Sequence, residues 1–162
     1  MKTEQIIRIT LIIVLLSLLK VPSGVSAQEV QPDDIVGTWL IEEDGHPVEK
    51  IEVYECDSLY CGKIVWINNP DSSHTPALDK KNKNEELRNR PLLGLEILKG
   101  YKFDGEDCWK DGKLYAHRKG KTVSPELTLI DKDHLKIEIK LLFFKKSFTW
   151  KRLVTENGRP QQ

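Results

Sequence analysis

Beyond residue 19 this chain has no apolar run approaching the roughly 20 residues that a membrane-crossing helix needs. The run it does have, Ile9 to Leu19, carries Thr10 and Ser17 and is stopped by Lys20, which is too short for an anchor. Net charge is missing as well. The 25 Lys and Arg equal the 25 Asp and Glu, so there is no general attraction to nucleic acid or to an anionic surface. Cysteine is scarce at three, and His46, His74, His117 and His134 stand singly, so the tight four-ligand spacing of a zinc site is absent. There is no Gly-x-Ser-x-Gly elbow, Walker loop or dinucleotide fingerprint, and the glycines fall at turns. Asp79 to Glu86 offers oxygen ligands but lacks the central glycine and spacing of a calcium loop, and its three lysines oppose a cation. Glu42, Glu43 and Asp44, next to Gly45, are most simply a solvated turn. These absences leave no catalytic motif, no metal site and no cofactor.

What is present begins with an export signal. Lys2 and Arg8 supply a basic start, Ile9 to Leu19 the apolar stretch, and Val25-Ser26-Ala27 a small-residue exit, so residues 1–27 are predicted to be cleaved. No cysteine follows the cut, which argues against a lipid anchor, and the released chain should not insert stably into a membrane. Residues 1–27 hold three of the basic and one of the acidic residues. The remaining 135 residues therefore carry 22 basic and 24 acidic, a net charge of −2. That length predicts one domain. The division is a polar lead at 28–34, a folded unit at 35–154 and a flexible tail at 155–162. In an oxidising compartment Cys56 and Cys61 are the natural disulfide, bracketing a short turn, and Cys108 is left over.

The folded unit reads as short strands with close turn signals. Candidates are Val36 to Ile41, Val48 to Cys56, Tyr60 to Ile67, an apolar return over Leu92 to Leu98, Tyr101 to Phe103, Glu106 to Lys110, Lys113 to His117, Val123 to Ile130, Leu135 to Leu142 and Ser147 to Leu153. Turns fall at Asp57-Ser58, Asp111-Gly112 and Phe143 to Lys146, the last expected to turn its aromatics to the core. Between Asn68 and Arg90 lies one long polar loop with a single helical turn at Glu85 to Arg88, and loops of that length are commonly functional or mobile. No long helix competes. The pattern predicts an all-β sandwich or up-and-down barrel of about eight strands.

Gly37-Thr38-Trp39 on the opening strand and Thr149-Trp150-Lys151-Arg152 on the closing one resemble the lipocalin and calycin barrels. The resemblance implies that Trp39 plugs one barrel end and that a basic residue, Arg152 or alternatively Lys151, lies across its ring. Leu59-Tyr60-Cys61-Gly62-Lys63-Ile64-Val65-Trp66, Arg90-Pro91-Leu92-Leu93-Gly94, Gly112-Lys113-Leu114-Tyr115 and Gly120-Lys121-Thr122 follow in order. Together they resemble a family of uncharacterised secreted bacterial domains grouped with the calycins, over nearly all of Ile35 to Arg152. The chain departs from that pattern at Ala116-His117-Arg118, at Val123 where a tyrosine is usual, and at Phe144-Lys145-Lys146. The resemblance implies fold and export, and no activity.

For a small barrel the interior either fills with side chains or holds one small ligand. Trp66 and Tyr115 are candidate ligand contacts. Glu96 interrupts the apolar run LLGLEIL, so it points either into the barrel or outward from an edge. Arg88 and Arg90, where the long loop rejoins the barrel, are placed to meet an anionic group or to form salt bridges with Glu85 or Glu86. The leading expectation is non-catalytic binding of a small apolar or amphipathic molecule. The alternative is a cell-envelope protein-interaction module with a filled barrel, and a third is an enzyme without a recognisable motif.

Overall fold

Period-two alternation of apolar and polar residues builds the wall of this protein. In the computed structural model, which describes residues 29–69 and 75–153, it is laid out as ten strand segments. These are β1 Gly37–Glu43, β2 His46–Cys56, β3 Leu59–Ile67, β4 Glu96–Phe103, β5 Cys108–Lys110, β6 Lys113–Ala116, β7 Lys121–Val123, β8 Glu126–Asp131, β9 His134–Leu141 and β10 Phe144–Arg152. β5 and β6 pair in succession along one edge of β4, at Lys102–Phe103 and Leu98–Lys99. β5 then hands on to β8 and β6 to β7. The ring β3–β2–β1–β10–β9–β8–β5–β4 closes through β3–β4, giving an eight-stranded antiparallel barrel with β6 and β7 as an extension. The export signal and the tail expected from the sequence lie outside the described residues.

Hairpin chemistry sets the local order. Asp44-Gly45 and Asp57-Ser58 both take left-handed φ values, 51° and 77°, then 50° and 61°, which is the geometry that matches strand twist in a two-residue turn. Cys56 and Cys61 flank the second turn and are bonded, with their Cα atoms 5.9 Å apart. Gly112 separates β5 from β6 because the Tyr101 ring lies on its backbone; a Cβ there would sit 2.4 Å from ring carbons. The β9–β10 turn is tighter and earlier than the sequence suggested. It occupies Leu142-Phe143, and β10 starts at Phe144. Leu92 to Leu95 forms no strand, and β4 begins only at Glu96.

One end of the barrel is closed. Trp39 is fully buried and donates from Nε1 to the Ile35 carbonyl at 2.8 Å. The Arg152 guanidinium lies 4.2 Å from the Trp39 ring and donates to the carbonyls of Val36 (2.8 Å), Lys132 (2.6 Å) and Asp34. Burial lowers the Arg152 pKa, opposed by the charges of Asp133 and Asp34. A 3-10 turn, Pro32–Ile35, caps this end. It is held from the wall by Trp109 Nε1 donating to the Pro32 carbonyl at 3.1 Å and by the Tyr60 hydroxyl donating to Asp33 at 2.7 Å.

Candidate functional site

The opposite end, where β1 runs into β2, is open. An inner cavity of about 220 Å³ there is walled by Ile41, Ile97, Leu114, Ile137, Phe148 and Trp150. Three carboxylates also line it, Glu42, Glu43 and Glu49, and of these only Glu49 is buried. On β2, Glu49 shares the inward face with Ile51 and Val53 and is only 4% exposed. An unpaired charge at such depth would cost several kcal/mol. Glu49 Oε1 meets His117 Nε2 at 2.8 Å and accepts from Arg118 Nε at 2.9 Å. Arg118 reaches onward to Glu43 at 2.6 Å. Glu49 Oε2 takes no hydrogen bond from the described residues.

The turn that carries His117 and Arg118 is fixed from outside. Residues His117–Lys119 form a single 3-10 turn ended by Gly120 in the left-handed region, φ 60°. A Cβ on Gly120 would fall 1.8 Å from the Lys81 carbonyl oxygen. The long loop is therefore packed directly against the turn that supplies the interior charges. A second network pins the loop itself. Asp79, with its side chain wholly buried, accepts from Arg90 Nε and Nη2 at 2.9 and 2.8 Å, from Asn82 at 2.7 Å and from the Tyr115 hydroxyl at 2.7 Å. Burial would raise the Asp79 pKa, but the bonds from Asn82, Tyr115 and Arg90 outweigh it and hold the carboxyl below its ordinary range. Burial and the Asp79 contact push the Tyr115 hydroxyl up.

Outside the barrel, between this loop and β4, β6 and β7, runs a cleft of about 600 Å³. Lys83, Arg90, Lys99, Lys113 and Lys121 line it against the single carboxylate Glu96. Tyr115 and Ile97 border both the cleft and the inner cavity.

The five ligand-contact candidates named from the sequence do not form one site. Arg90, Glu96 and Tyr115 meet in the outer cleft, and only Tyr115 also touches the inner cavity. Arg88 lines neither; it donates to the Asn82 carbonyl at 2.9 Å and pairs with Glu85 at 2.8 Å. Trp66 lines neither, standing 36% exposed on the outer wall beneath Lys50. The strand register explains why. Ile51 pairs with Ile64 but Lys50 with Trp66, so Val65 is an extra residue and every side chain beyond it changes face. A bulge also decides the orientation of Glu96. Gly62 pairs with Leu98 and Lys63 with Glu96, so Ile97 is the extra residue and Glu96 leaves the interior face of Leu98. It points outward, accepting from Tyr54 at 2.8 Å and pairing with Lys99 at 2.9 Å, contacts that hold its pKa down against burial, Lys99 foremost.

Glu49, His117 and Arg118 were missed, although each left a trace in the sequence. Glu49 falls on the inward parity of β2, and His117-Arg118 stands where the chain departs from the pattern it resembles. Among the described residues no group of three or more His, Cys, Asp or Glu is arranged to hold a metal ion. Cys108 is buried away from both cavities, and that burial raises its thiol pKa.

Residues 37–152 match the family model described as an uncharacterized protein conserved in bacteria, DUF2147. No curated protein matches the chain. A solved structure is similar to it, described as protein HP1028 from the human pathogen Helicobacter pylori and as belonging to the lipocalin family. The two are 25% identical, over 75% of this chain and 84% of the other, with a TM-score of 0.63.

Proposed function

Because this chain belongs to the bacterial DUF2147 family, whose description names no activity, we propose its function from its own geometry: an exported, non-catalytic barrel that binds one small, partly apolar molecule. The observation that carries this is the inner cavity, with seven apolar residues and a single buried carboxylate in its wall. At about 30 Å³ per water-sized group, ≈ 220 Å³ suits a compact ligand rather than a long chain. Glu49 Oε2 is the acceptor for a donor group on that ligand. The lipocalin assignment of the H. pylori protein supports an interior site. The signal-like N-terminus and the Cys56–Cys61 bond support export, and no described helix is long and apolar enough to cross a membrane.

Native mass spectrometry of purified protein tests this reading. A co-purified mass or an added apolar adduct is expected, lost on filling the cavity with Ile137→Trp while the circular-dichroism spectrum is retained. A wild-type barrel that carries no adduct and takes up no apolar probe would reject it.

A second reading, an envelope interaction module, draws on the outer cleft. Five cations against one carboxylate suit an acidic partner, and Lys83→Glu with Lys121→Glu should then abolish its capture.

A further inference from the structure

The hairpin joining β9 to β10 ends in apolar side chains that no described residue covers. Leu142 and Phe143 are each 95% exposed and Phe144 is 61% exposed. The sequence led us to expect core-facing aromatics here, but the turn falls at Leu142-Phe143 and sends them outward. Among the described residues, the two strands pair only with each other from Ile139 to Lys146. The last β8 partner on β9 is Glu138, and the β1 register meets β10 only at Lys151 and Arg152. A two-stranded arm thus projects past the wall at the open end, tipped by Leu142, Phe143 and Phe144. Lys145 and Lys146 follow directly, with only Glu138 of the arm facing them, while Lys140 opposite is paired with Glu126 on β8.

We infer that this tip docks the protein on an anionic phospholipid surface, inserting Leu142, Phe143 and Phe144 below the headgroups while Lys145 and Lys146 meet the phosphates. Aromatic and aliphatic side chains with lysines one residue deeper along the arm match the apolar-to-charged gradient of a bilayer interface. The competing occupant, a second copy of the chain, needs more surface. Three such side chains offer roughly 500 Å², below the about 800 Å² per partner of a stable protein interface. Among the described residues, Lys145 is held only by Glu138 at 3.4 Å, and Lys146 only by the Phe148 ring, 5.3 Å from its centroid. Both remain available to phosphate. Phe148, on the wall of the inner cavity, lies four residues from Phe144, roughly 13 Å along a strand. Docking by the tip therefore brings the open end of the barrel close to the lipid.

Co-sedimentation with phosphatidylcholine vesicles, with and without phosphatidylglycerol, is the test. Wild-type protein should bind the anionic vesicles, more weakly as salt rises. L142S/F143S should bind at least about tenfold more weakly with an unchanged melting temperature, since both side chains are exposed. Lys145→Glu with Lys146→Glu should erase the preference for phosphatidylglycerol. Equal partitioning of wild type and L142S/F143S would overturn the inference, as would no binding to either vesicle. Tip-dependent dimerisation in sedimentation velocity without vesicle binding would assign the tip to a second copy instead. Vesicle binding uses no cavity residue and should survive Ile137→Trp, so this inference and the ligand-binding reading fail separately.

Discussion

Four donors converge on the Asp79 carboxylate, two from Arg90 and one each from Asn82 and Tyr115. With the side chain wholly buried, removal of the charge leaves Arg90 facing a neutral group in a site built for an anion. Asp79→Asn is therefore expected to cost about 3 kcal/mol at neutral pH. The acid behaviour follows from the sign of the pKa shift. The folded-state value lies below the ordinary one, so the stabilisation is complete above the unfolded-state pKa of about 3.9 and disappears as pH falls through the folded value. Urea titrations of wild type and Asp79→Asn should differ by a constant amount from about pH 5 to 8, and the gap should shrink only below about pH 4, closing as pH falls through the folded-state value. A gap that stays constant into acid would mean that folding does not shift the Asp79 pKa. Asp79 was legible in the sequence only as one of several acids in a polar loop. Its partners come from 3 to 36 residues away, and no local pattern foretells that convergence.

At the scale of elements, turns and bulges divide what was legible from what was not. Strands followed from alternation, and Asp57-Ser58 was recognisable as a turn. Yet a turn with both central residues left-handed favours glycine in the second place, and here Ser58 sits at φ 61°. An L-residue in that region costs about 1 kcal/mol or more, part of which returns as greater unfolded-state freedom for glycine. Ser58→Gly is expected to raise unfolding free energy by about 0.5–1 kcal/mol, read as a shifted urea midpoint at unchanged slope. The bulges at Val65 and Ile97 had no such signal. Each is an extra residue fixed by the neighbouring strand's register. The first turns Trp66 off the face on which it was expected, and the second decides for Glu96 between the inward and outward positions the sequence left open. Glu49 is the counterexample: no bulge separates it from Ile51 and Val53 on β2, and simple parity would have placed it inside.

For the whole molecule, the closed end joins residues far apart in the chain, 116 for Arg152 and Val36 and 118 for Arg152 and Asp34. This feature was readable early because a Gly-x-Trp opening and a basic closing strand resemble known barrels. The carbonyl contacts of Arg152 were not readable, since they depend on how the Pro32–Ile35 turn folds under the base. Arg152 therefore serves two functions, stacking on Trp39 and cross-linking three carbonyls from two separate segments. Lysine retains the charge but not the planar fork that reaches several acceptors at once. Arg152→Lys should thus destabilise the barrel by about 1–3 kcal/mol through carbonyls left under-satisfied. Trp39→Ala should cost about 3–5 kcal/mol as a core cavity. A double-mutant cycle of Arg152→Lys with Trp39→Phe separates the two functions. A coupling near 1 kcal/mol would measure the stack itself, which the smaller phenyl ring weakens. Additivity to within about 0.3 kcal/mol would mean that the guanidinium acts through the carbonyls alone, and that the tryptophan closes the barrel by volume rather than by its ring's charge distribution.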